Sequence, residues 1–497
     1  MKKILSLIII LFMASCKMVV QDQGILGTWI YTVEDAPFGF QTGRVIFYEE
    51  NDSTKAKLKV YGIPIKTDHL EIDSASVSFT TQVEHEQVSI KLERQEDALI
   101  GMVHASEGAM PISMVKKGRR FREKKERSIR KSFRSRGGDR STGRALLTDE
   151  IEGLSEDGAV NYKVHIFYYG WYGNPEYDGG YRAWNHQVIP HWIDSTWNNV
   201  DPHTGGDDIG ANFYPQMGNY SSKDPATIST HMQQIREAGI GVVAISWWGP
   251  GDYTDQSVGT LLDTAHAYGL KVVFHIEPIY STVEEFRGLL EYISASYLQH
   301  PAMYQIDGKP LYYLYNSFQL KYDEWQSLLN PDSSSSLRNT PLDGVFIGLW
   351  TTGFDGEFMV KSGFDGFYTY FASDGFAYGS TTSNWPDMAA FARANNLIYI
   401  PSVGPGYADT RIRPWNEKTT KSRDQGRYYE EMFKNAVHTS PDFISITSFN
   451  EWHEGTQIEP VVPQKIPSFT YLDYGEDTDP MFYIWKTKTL IDTYYKD

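Results

Sequence analysis

The feature that most constrains the fold is a series of eight apolar, β-branched runs that follow residue 160. They are VHIFYY (164–169), GVVAISWW (241–248), KVVFHIEP (271–278), PLYYLYN (310–316), GVFIGLW (344–350), GFDGFYTYF (363–371), LIYIPSVG (397–404) and FISITSFNEW (443–452). Stretches with helical character, such as PATISTHMQQIREAG and QGRYYEEMFKNAVHTS, lie between most of them. Continuous apolar strands that alternate with helices indicate a parallel sheet covered on both faces. Eight such repeats predict an α/β fold, a (β/α)8 TIM barrel, over residues 159–497.

A doubly wound parallel sheet is the alternative fold for this pattern. That fold commonly carries a glycine-rich phosphate loop after its first strand, and FYYGWY follows here instead. The barrel is therefore the favoured prediction.

The residues before the barrel have a different pattern. Short runs with polar and apolar residues in alternation, broken by turn residues, extend over residues 20–117 and include GTWIYTV, GRVIFYEE, KAKLKVYGI, SVSFTTQV, QVSIKLER and ALIGMVH. Such alternation is typical of half-buried antiparallel strands. We expect a small antiparallel β domain, a barrel or a sandwich of lipocalin-like type, that serves as an accessory module.

Two further segments carry signals of targeting and of flexibility. Residues 1–16 combine a basic start, an apolar run too short to span a bilayer and small residues before Cys16. Cys16 is the only cysteine, and its place resembles the lipidated residue of a bacterial lipoprotein. A plain secretory signal is the alternative. Residues 118–158 form a basic linker, since residues 116–144 hold 14 lysines and arginines against three acidic residues.

Composition restricts the class of partner. A formal net charge of −17 argues against nucleic acid as a partner for the whole chain, although the basic linker is compatible with an anionic membrane surface. The share of hydrophobic residues, 41%, and of charged residues, 22%, suits a soluble globular protein that is exported. We therefore predict an outer-membrane lipoprotein, on the cell surface or the periplasmic face, with a membrane contact through its lipid anchor.

Aromatic, acidic and histidine side chains are concentrated where the eight strands end, which is where TIM barrels place their functional groups. The residues at these positions are Tyr168, Tyr169, Trp171, Tyr172, His186, His191, Trp247, Trp248, His275, Glu277, Tyr315, Asn316, Tyr368, Tyr370, Arg411, Arg413, Glu451, Trp452, His453 and Glu454. Each one alone is compatible with packing or ion pairing. Together they predict a sugar-binding cleft, because aromatic faces pack on pyranose rings and acids bind hydroxyl groups.

Two classes of hydrolase are compatible with this set. A metal-dependent barrel hydrolase usually takes a His-x-His pair from its first strand, which FYYGWY does not offer, so we predict no metal and no cofactor. A glycosidase needs two carboxylic acids, and Glu451 and Glu454 supply them. Three residues apart on a helical turn, the two acids would face the same way. Ordinary glycosidases place their acids on opposite sides of the scissile bond, so this spacing suggests a different division of labour.

The segments FYYGWYGNPEYDGG, FDGFYTYFASDGFAYGS, IPSVGPGYADTRIRPWN and ITSFNEWHEGTQIEP resemble glycoside hydrolase family 99, the endo-α-1,2-mannosidases and endo-α-mannanases. The resemblance covers residues 162–495. It implies a metal-independent, retaining, endo-acting hydrolase whose substrate is an α-mannan or a mannose-rich oligosaccharide. It departs from the family pattern at Ala183, where a histidine is frequent, and at Asn316, where an aspartate is expected.

The same resemblance implies roles for individual residues. Glu454 would be the general acid and base, and Glu451 the base that acts on the substrate's own 2-hydroxyl group to form a 1,2-anhydro sugar. The residues around the cleaved sugar would be Tyr169, Trp248, Glu277, Tyr370 and His453.

Two other functions remain compatible with the sequence. The first is a surface lipoprotein that captures glycans with a non-catalytic barrel, and it predicts the loss of an acid that is present here. The second is a glycosyltransferase, which would need a nucleotide site, and no phosphate loop is seen. Among hydrolases, yeast-type α-1,6/α-1,2-mannan and a glucosylated N-glycan are alternative substrates, and export favours the polysaccharide.

Overall fold

The structure, a computed structural model, describes residues 24–33, 42–50, 53–60, 63–83, 86–95, 98–105, 108–116, 160–189, 200–475 and 478–495. The predicted signal peptide (1–16) with Cys16, the basic linker (118–158) and His191 lie outside these residues. The described residues form two compact units.

The first unit is an eight-stranded antiparallel barrel. Its strands are β1 (Gly27–Thr32), β2 (Thr42–Glu50), β3 (Ser53–Val60), β4 (Ile63–Ile72), β5 (Ser76–Val83), β6 (Glu86–Gln95), β7 (Ala98–Ala105) and β8 (Gly108–Lys116). Each strand pairs with the next in sequence, and β1 also pairs with β8, with Trp29 opposite Lys116. This closes the sheet, so no strand edge is left open within it.

Alternation of side chains explains this barrel. On β1, Trp29 and Tyr31 are buried in the interior while Ile30 and Thr32 face outward. The prediction of a small antiparallel β domain is confirmed, and of its two forms the barrel is found. Two strands were missed by the pattern, β4 and β8. The pairing of β4 with β5 shifts register between Asp68 and Glu71, which breaks the period of two.

The second unit is built on parallel strands with helices between them. Its strands are β9 (Asn161–Tyr169), β10 (Ile240–Trp247), β11 (Lys271–Ile276), β12 (Gln305–Ile306), β13 (Lys309–Leu314), β14 (Val345–Leu349), β15 (Gly366–Tyr368), β16 (Ile398–Ile400), β17 (Ser402–Val403), β18 (Ile444–Ile446), β19 (Lys465–Ile466) and β20 (Phe469–Thr470). Its helices are α1 (Pro175–Asp178), α2 (Pro225–Glu237), α3 (Val258–Ala267), α4 (Val283–Ser296), α5 (Tyr322–Leu329), α6 (Asp355–Ser362), α7 (Trp385–Asn395), α8 (Arg427–His438) and α9 (Phe482–Tyr494).

The predicted (β/α)8 barrel is confirmed, because all eight apolar runs contain a strand of one parallel sheet. The order of pairing is β16, β15, β14, β13, β11, β10, β9, β18, β17. β16 and β17 are two halves of a single barrel strand, separated by Pro401, which has no backbone N–H for a sheet hydrogen bond. One half pairs with β15 and the other with β18, so the ring closes through the interrupted strand.

The helices begin and end where local signals place them. α2 starts after Asp224, whose carboxylate accepts a hydrogen bond from the backbone N–H of Ala226, with Pro225 as the first helical residue. α4 begins after Thr282, whose side chain caps Glu285 N. None of the helices that the structure describes combines the length and the apolar character needed to cross a bilayer.

The barrel strands are largely buried, as expected for a parallel sheet covered by helices, and their exposed residues, such as Tyr162 and Lys163 of β9 and Lys309 of β13, lie near the amino ends. All eight residues of β10 and all five of β14 are buried. The strands therefore act as a rigid support, and the segments that follow their carboxyl ends carry the polar side chains described next.

Candidate active site

The structure brings the predicted site residues to the carboxyl ends of five strands. They are Tyr169 at the end of β9, Trp248 after β10, Glu277 after β11, Tyr370 after β15, and Glu451, His453 and Glu454 after β18. Ring contacts link them: Trp171 lies 4.6 Å from Tyr169, 6.5 Å from Trp248 and 6.1 Å from His453 between ring centroids. One cleft at the mouth of the barrel therefore holds the aromatic and acidic groups together.

The segment that follows β18 carries both candidate catalytic carboxylates, Glu451 and Glu454. The strand ends at Ile446, and the chain turns through residues 452–455 without forming a helix. Ser448 Oγ accepts a hydrogen bond from Glu451 N at 2.8 Å. The carboxamide of Asn450 ties the segment to β9, because it accepts from Tyr169 N at 2.7 Å and donates to Tyr169 O at 2.9 Å. The loop is thus fixed to the barrel rather than free in solvent.

Glu451 is buried and contacts the imidazole of His453. Its Oε1 accepts a hydrogen bond from the backbone N–H of His453 at 3.1 Å and lies 3.3 Å from His453 Nδ1. The other ring nitrogen, Nε2, lies 2.9 Å from the carbonyl oxygen of Ala183. A carbonyl only accepts, so Nε2 carries a proton, and Nδ1 is the nitrogen that faces the carboxylate. This arrangement orients the side chain of Glu451.

Glu454 has a different environment three residues later. Its side chain is 23% exposed, and its Oε1 lies 3.5 Å from Nη1 of Arg413. Burial raises the pKa of Glu454 to about 7, with a further rise from the negative charges of Glu451 and Asp409 and an opposing effect of the Arg413 cation. A carboxyl group with such a pKa can hold or release a proton near neutral pH, as a general acid and base must.

Glu277 lies at the end of β11 in a polar network inside the barrel. Its Oε1 accepts a hydrogen bond from Ser246 Oγ at 3.0 Å and lies 3.0 Å from His275 Nδ1. Nε2 of His275 lies 2.7 Å from the hydroxyl oxygen of Tyr368. Asn316, at the position where the resemblance expects an aspartate, donates to the backbone oxygen of Glu277 at 2.6 Å. Ser246 thus contacts the carboxylate of Glu277 directly, and Asn316 fixes the backbone of the same residue.

Tyr169 and Tyr370 contact each other through their hydroxyl groups across the mouth of the barrel. Burial raises the pKa of both phenols well above 10, so both remain protonated at neutral pH. Tyr370 adopts a positive φ of 58°, and its backbone N–H donates to Ser402 Oγ at 2.6 Å. A left-handed backbone is rare for a bulky residue, and such strain is frequent at functional sites.

Trp248 is the most exposed aromatic residue of the set, with 45% of its surface accessible. Its backbone N–H donates to Thr254 Oγ1 at 3.0 Å, and the neighbouring Trp247 is buried with its Nε1 donating to Asp255 at 2.8 Å. The indole of Trp248 is therefore an exposed face on a firmly held loop, as a stacking platform for a sugar ring requires.

Sequence reasoning missed one acid beside the cleft. Asp409 is fully buried, and its Oδ2 accepts hydrogen bonds from Tyr407 Oη at 2.9 Å, Arg413 Nη1 at 3.0 Å and Asn416 Nδ2 at 2.8 Å. The spacing of Asp409 and Arg413 in YADTRIRPWN was the available signal, since residues four apart can pair. The contact between Arg413 and Glu454 leaves no such signal in the sequence, because the two residues are 41 positions apart.

Two other residues predicted from the sequence, His186 and Arg411, differ in their relation to the catalytic candidates. The imidazole of His186 is 4.6 Å from that of His453 between ring centroids, and burial together with the charge of His453 lowers the pKa of His186 to about 4. Arg411 instead pairs with Asp208 and stacks on Phe469, and it makes no ion pair with either catalytic candidate.

No group of three or more His, Cys, Asp or Glu side chains arranged to hold a metal ion is found in the part of the chain that the structure describes. The carboxylates of the cleft accept hydrogen bonds from protein groups: from the Ser246 hydroxyl for Glu277, from the backbone N–H of His453 for Glu451, and from the Arg413 guanidinium for Glu454.

Comparison with known proteins identifies relatives of the second unit. The sequence model of Glycosyl hydrolase family 99 matches residues 159–496. The glycoprotein endo-alpha-1,2-mannosidase of Rattus norvegicus is 47% identical over 359 residues, which cover 69% of this chain and 77% of the rat protein. The glycoprotein endo-alpha-1,2-mannosidase-like protein of Homo sapiens is 44% identical over 350 residues, or 67% of this chain and 76% of the human protein.

A solved structure has the same fold over the same part of the chain. The GH99 endo-alpha-mannosidase from Bacteroides thetaiotaomicron is 45% identical and superposes with a TM-score of 0.65. The match covers 68% of this chain and 98% of the Bacteroides protein. These relatives therefore correspond to the (β/α)8 unit.

Proposed function

The chain belongs to glycosyl hydrolase family 99 and is an endo-acting α-mannosidase, and we propose that Glu454 is its general acid and base while Glu451 activates the substrate's 2-hydroxyl group. The observation that carries this division of labour is the contrast between the two side chains. Glu454 reaches the cleft with a pKa near 7, whereas Glu451 is buried against His453. The first suits a group that exchanges a proton, and the second suits a fixed base.

The first chemical step breaks the glycosidic bond. Glu451 removes the proton from O2 of the cleaved mannose residue, and O2 attacks C1 as the bond from C1 to the leaving oxygen breaks. Glu454 gives its proton to that oxygen, so the leaving sugar departs as an alcohol. The product on the enzyme is a 1,2-anhydro sugar, and Glu454 is left ionised while Glu451 is protonated.

The second step returns both acids to their starting states. Glu454 takes a proton from water, the water oxygen attacks C1, and the bond from C1 to O2 breaks. Glu451 gives its proton back to O2. Two inversions at C1 leave the α configuration unchanged, and the reaction needs no protein nucleophile below the sugar ring. Two carboxylates on the same loop are sufficient for this route.

This route selects the configuration of the sugar at the cleaved bond. Attack by O2 requires that O2 and the departing oxygen lie on opposite faces of the ring. In an α-mannoside the two substituents are axial and opposed, whereas in an α-glucoside they are cis. The residue at the cleaved bond is therefore manno-configured, and discrimination against its glucose analogue arises from the substrate itself.

Five further residues are proposed to bind the glycan around the cleaved sugar. Trp248 offers an exposed indole face for stacking, and Glu277 offers a carboxylate oriented by Ser246 and His275. Tyr169 and Tyr370 supply neutral phenols, and His453 orients Glu451.

The polysaccharide rather than an N-glycan is the proposed natural substrate, with the protein exported as a lipoprotein anchored at Cys16. Residues 1–16 support the export route, and an anchored enzyme outside the cytoplasm meets polymeric mannan. Labelling with radioactive palmitate in a Gram-negative host tests the anchor: the wild type is labelled, and Cys16→Ser is not. Labelling of the variant would contradict the anchor without touching the catalytic proposal.

The test of the mechanism uses yeast α-mannan and two synthetic oligomannosides that differ only at O2 of the cleaved residue, one with a free hydroxyl and one with a 2-O-methyl group. The wild type is expected to release oligosaccharides from mannan in the presence of EDTA and to cleave only the free-hydroxyl compound. Cleavage of the 2-O-methyl compound would overturn participation by O2. If no α-mannoside is cleaved, glycan capture without hydrolysis replaces the proposal.

A further inference from the structure

The loop that follows β17 carries a second pair of charged residues beside the cleft. Asp409 is fully buried, and three donors converge on its Oδ2, from Tyr407, Arg413 and Asn416. The carboxylate therefore holds the guanidinium of Arg413 on one side, while the phenol and the carboxamide fix the carboxylate. Since each partner is held by another, the position of Arg413 is determined by the loop and not by solvent.

Backbone contacts lock this loop to the segment that carries Glu454. The backbone N–H of Ala408 donates to the carbonyl oxygen of Glu454 at 2.8 Å. Gly455 adopts a φ of +61°, and a Cβ atom there would lie 2.6 Å from the carbonyl oxygen of Ala408. Only a glycine permits the two loops to approach so closely. The distance between Arg413 and Glu454 is thus set by two backbones in direct contact.

The guanidinium meets only one of the two carboxyl oxygens of Glu454. Nη1 of Arg413 lies 3.5 Å from Oε1 and 3.0 Å from Asp409 Oδ2, so the same nitrogen bridges both acids. Arginine donates hydrogen bonds and does not accept them. A proton on Oε1 would point at another donor, and a protonated Glu454 therefore carries its proton on Oε2.

We propose that Arg413, held by Asp409, is a positioning residue that restricts the proton of Glu454 to Oε2 and so directs it at the oxygen of the departing sugar. The inference rests on the proposed function, since it assigns a partner to the general acid. In the second step the same contact leaves Oε2 as the oxygen that accepts the proton from water. Arg413 then serves both steps without exchanging a proton itself.

Electrostatics support this role. Burial, Glu451 and Asp409 favour the protonated form of Glu454, and the Arg413 cation opposes them. The titratable or charged groups that face Glu454 from the surrounding segments are Tyr169, Tyr315, Tyr370, Tyr407, Asp409, Arg413 and Glu451. Arg413 is the one cation among these described neighbours, so its removal should make the proton harder to release.

The experiment compares two substrates that share an α-linked mannobiosyl donor. One has a methyl mannoside as leaving group, which needs a proton to depart, and the other has 2,4-dinitrophenolate, which departs as an anion. For Arg413→Gln, kcat/KM should fall about 100-fold on the sugar and less than about threefold on the aryl compound. The alkaline limb of the kcat/KM profile, near pH 7 in the wild type, should move upward by about one pH unit.

Arg413→Lys and Arg411→Gln separate the possible causes. The lysine variant keeps the positive charge but lacks the planar guanidinium group. The alkaline limb of its kcat/KM profile should therefore stay near that of the wild type, while kcat/KM on the sugar substrate falls about tenfold. Arg411 lies in the same loop but pairs with Asp208, and its variant should affect both substrates by the same factor.

An equal loss of Arg413→Gln on both substrates, or an unchanged alkaline limb, would overturn the inference and leave Arg413 a structural or substrate-binding residue. If that variant does not fold, as judged by circular dichroism, the leaving-group dependence of Arg413→Lys decides alone. A wild type that cleaves neither substrate would refute the proposed function instead, which is a different result.

Discussion

The two barrels of this chain use their interiors for different purposes. In the antiparallel barrel the buried side chains are mainly apolar, for example Trp29, Phe47, Phe79 and Leu92. In the parallel barrel, His275, Tyr368 and Glu277 lie near the carboxyl ends of the strands, linked by hydrogen bonds and close contacts. The first interior contributes burial of apolar area, and the second also orients polar groups that point at a cleft.

The comparison also holds within one loop of the parallel barrel. Glu459 is fully buried, and its two oxygens accept hydrogen bonds from His231 at 3.2 Å, Tyr220 at 2.7 Å and Trp452 at 3.0 Å. Glu454, five residues earlier, has one long contact with a cation and is partly exposed. A carboxylate surrounded by donors is a structural group, whereas an incompletely satisfied one at a cleft is available for chemistry.

The largest expected effect separates activity from stability at the cleft. Glu451→Gln and Glu454→Gln should each lower kcat/KM on an unactivated mannoside by about 10⁴-fold, because each removes one partner of the proton transfers. The free energy of unfolding should not fall, since each change removes a carboxyl group whose negative charge repels that of its neighbour. Steady-state kinetics and urea unfolding test both statements together.

A loss of both activity and stability in these two variants would contradict the comparison, because the acids would then be structural. Activity on a substrate with an aryl leaving group distinguishes the roles of Glu451 and Glu454. Glu454→Gln should retain much more activity on a 2,4-dinitrophenyl mannoside than on a sugar leaving group, whereas Glu451→Gln should lose both, since the attack by O2 is still required.

The second prediction is for the antiparallel barrel, where a substitution should lower stability and leave activity unchanged. Phe47→Ala should lower the stability of that barrel by about 4 kcal/mol through loss of a buried ring that packs against Phe79. Its kcat/KM on mannosides should stay within about twofold of the wild type. Hydrogen exchange of peptides from β1 to β8, followed by mass spectrometry, measures the local stability. Tyr48→Ala, which faces outward on the same strand, is the matched control.

Much of the parallel barrel could be predicted, because a strand buried on both faces leaves an uninterrupted apolar run. All eight runs contain strands, and the segments at the carboxyl ends of five of them carry the residues of the cleft. The antiparallel barrel was predicted less completely: β4 contains a register shift and β8 contains Pro111, and both weaken the period-two signal. The partnership of Arg413 with Glu454 was not predicted, because contacts between distant loops leave no periodic trace.

The third prediction concerns pH and the stability of the parallel barrel. The pKa of Glu454 rises from 4.5 to about 7 on folding, so between these values the folded state keeps a proton that the unfolded state has lost. Stability therefore decreases as pH rises through this window, by up to about 3 kcal/mol. Glu454→Gln has no such proton, and its stability relative to the wild type should increase between pH 5 and pH 8.

Urea unfolding followed by tryptophan fluorescence measures this difference. The signal reports mainly on the parallel barrel, because Trp29 is the only tryptophan before residue 160. Taking the variant relative to the wild type at each pH cancels the contribution of the other titrating groups. A difference that does not change with pH would show that Glu454 titrates near its ordinary value, and the assignment of this residue as the acid would lose its support.

The fourth prediction tests the structural carboxylate. In Glu459→Gln an amide replaces a buried carboxylate that contacts Tyr220, Trp452 and His231, so the charge that strengthens these hydrogen bonds is lost. The free energy of unfolding should fall by about 2 kcal/mol, while kcat/KM falls by less than about tenfold. The same substitution at Glu454 should show the opposite split. Equal behaviour of the two variants would mean that satisfaction by donors does not distinguish structural from catalytic carboxylates in this loop.

The smallest expected effect is on KM, and it is tested by comparing an exposed tryptophan in the cleft with one outside it. Trp248→Ala should raise KM about tenfold, the loss of roughly 1.5 kcal/mol of stacking on a sugar ring, with little change in kcat if the contact is equal in the ground and transition states. Trp485 on α9 is equally exposed, at 45%, and lies outside the cleft. Trp485→Ala should therefore leave both constants unchanged. Because the two residues match in type and exposure, a difference between the variants measures the contribution of the cleft itself.

Equal KM values would mean that Trp248 does not touch the glycan, and a fall in kcat instead of a rise in KM would place its contact in the transition state.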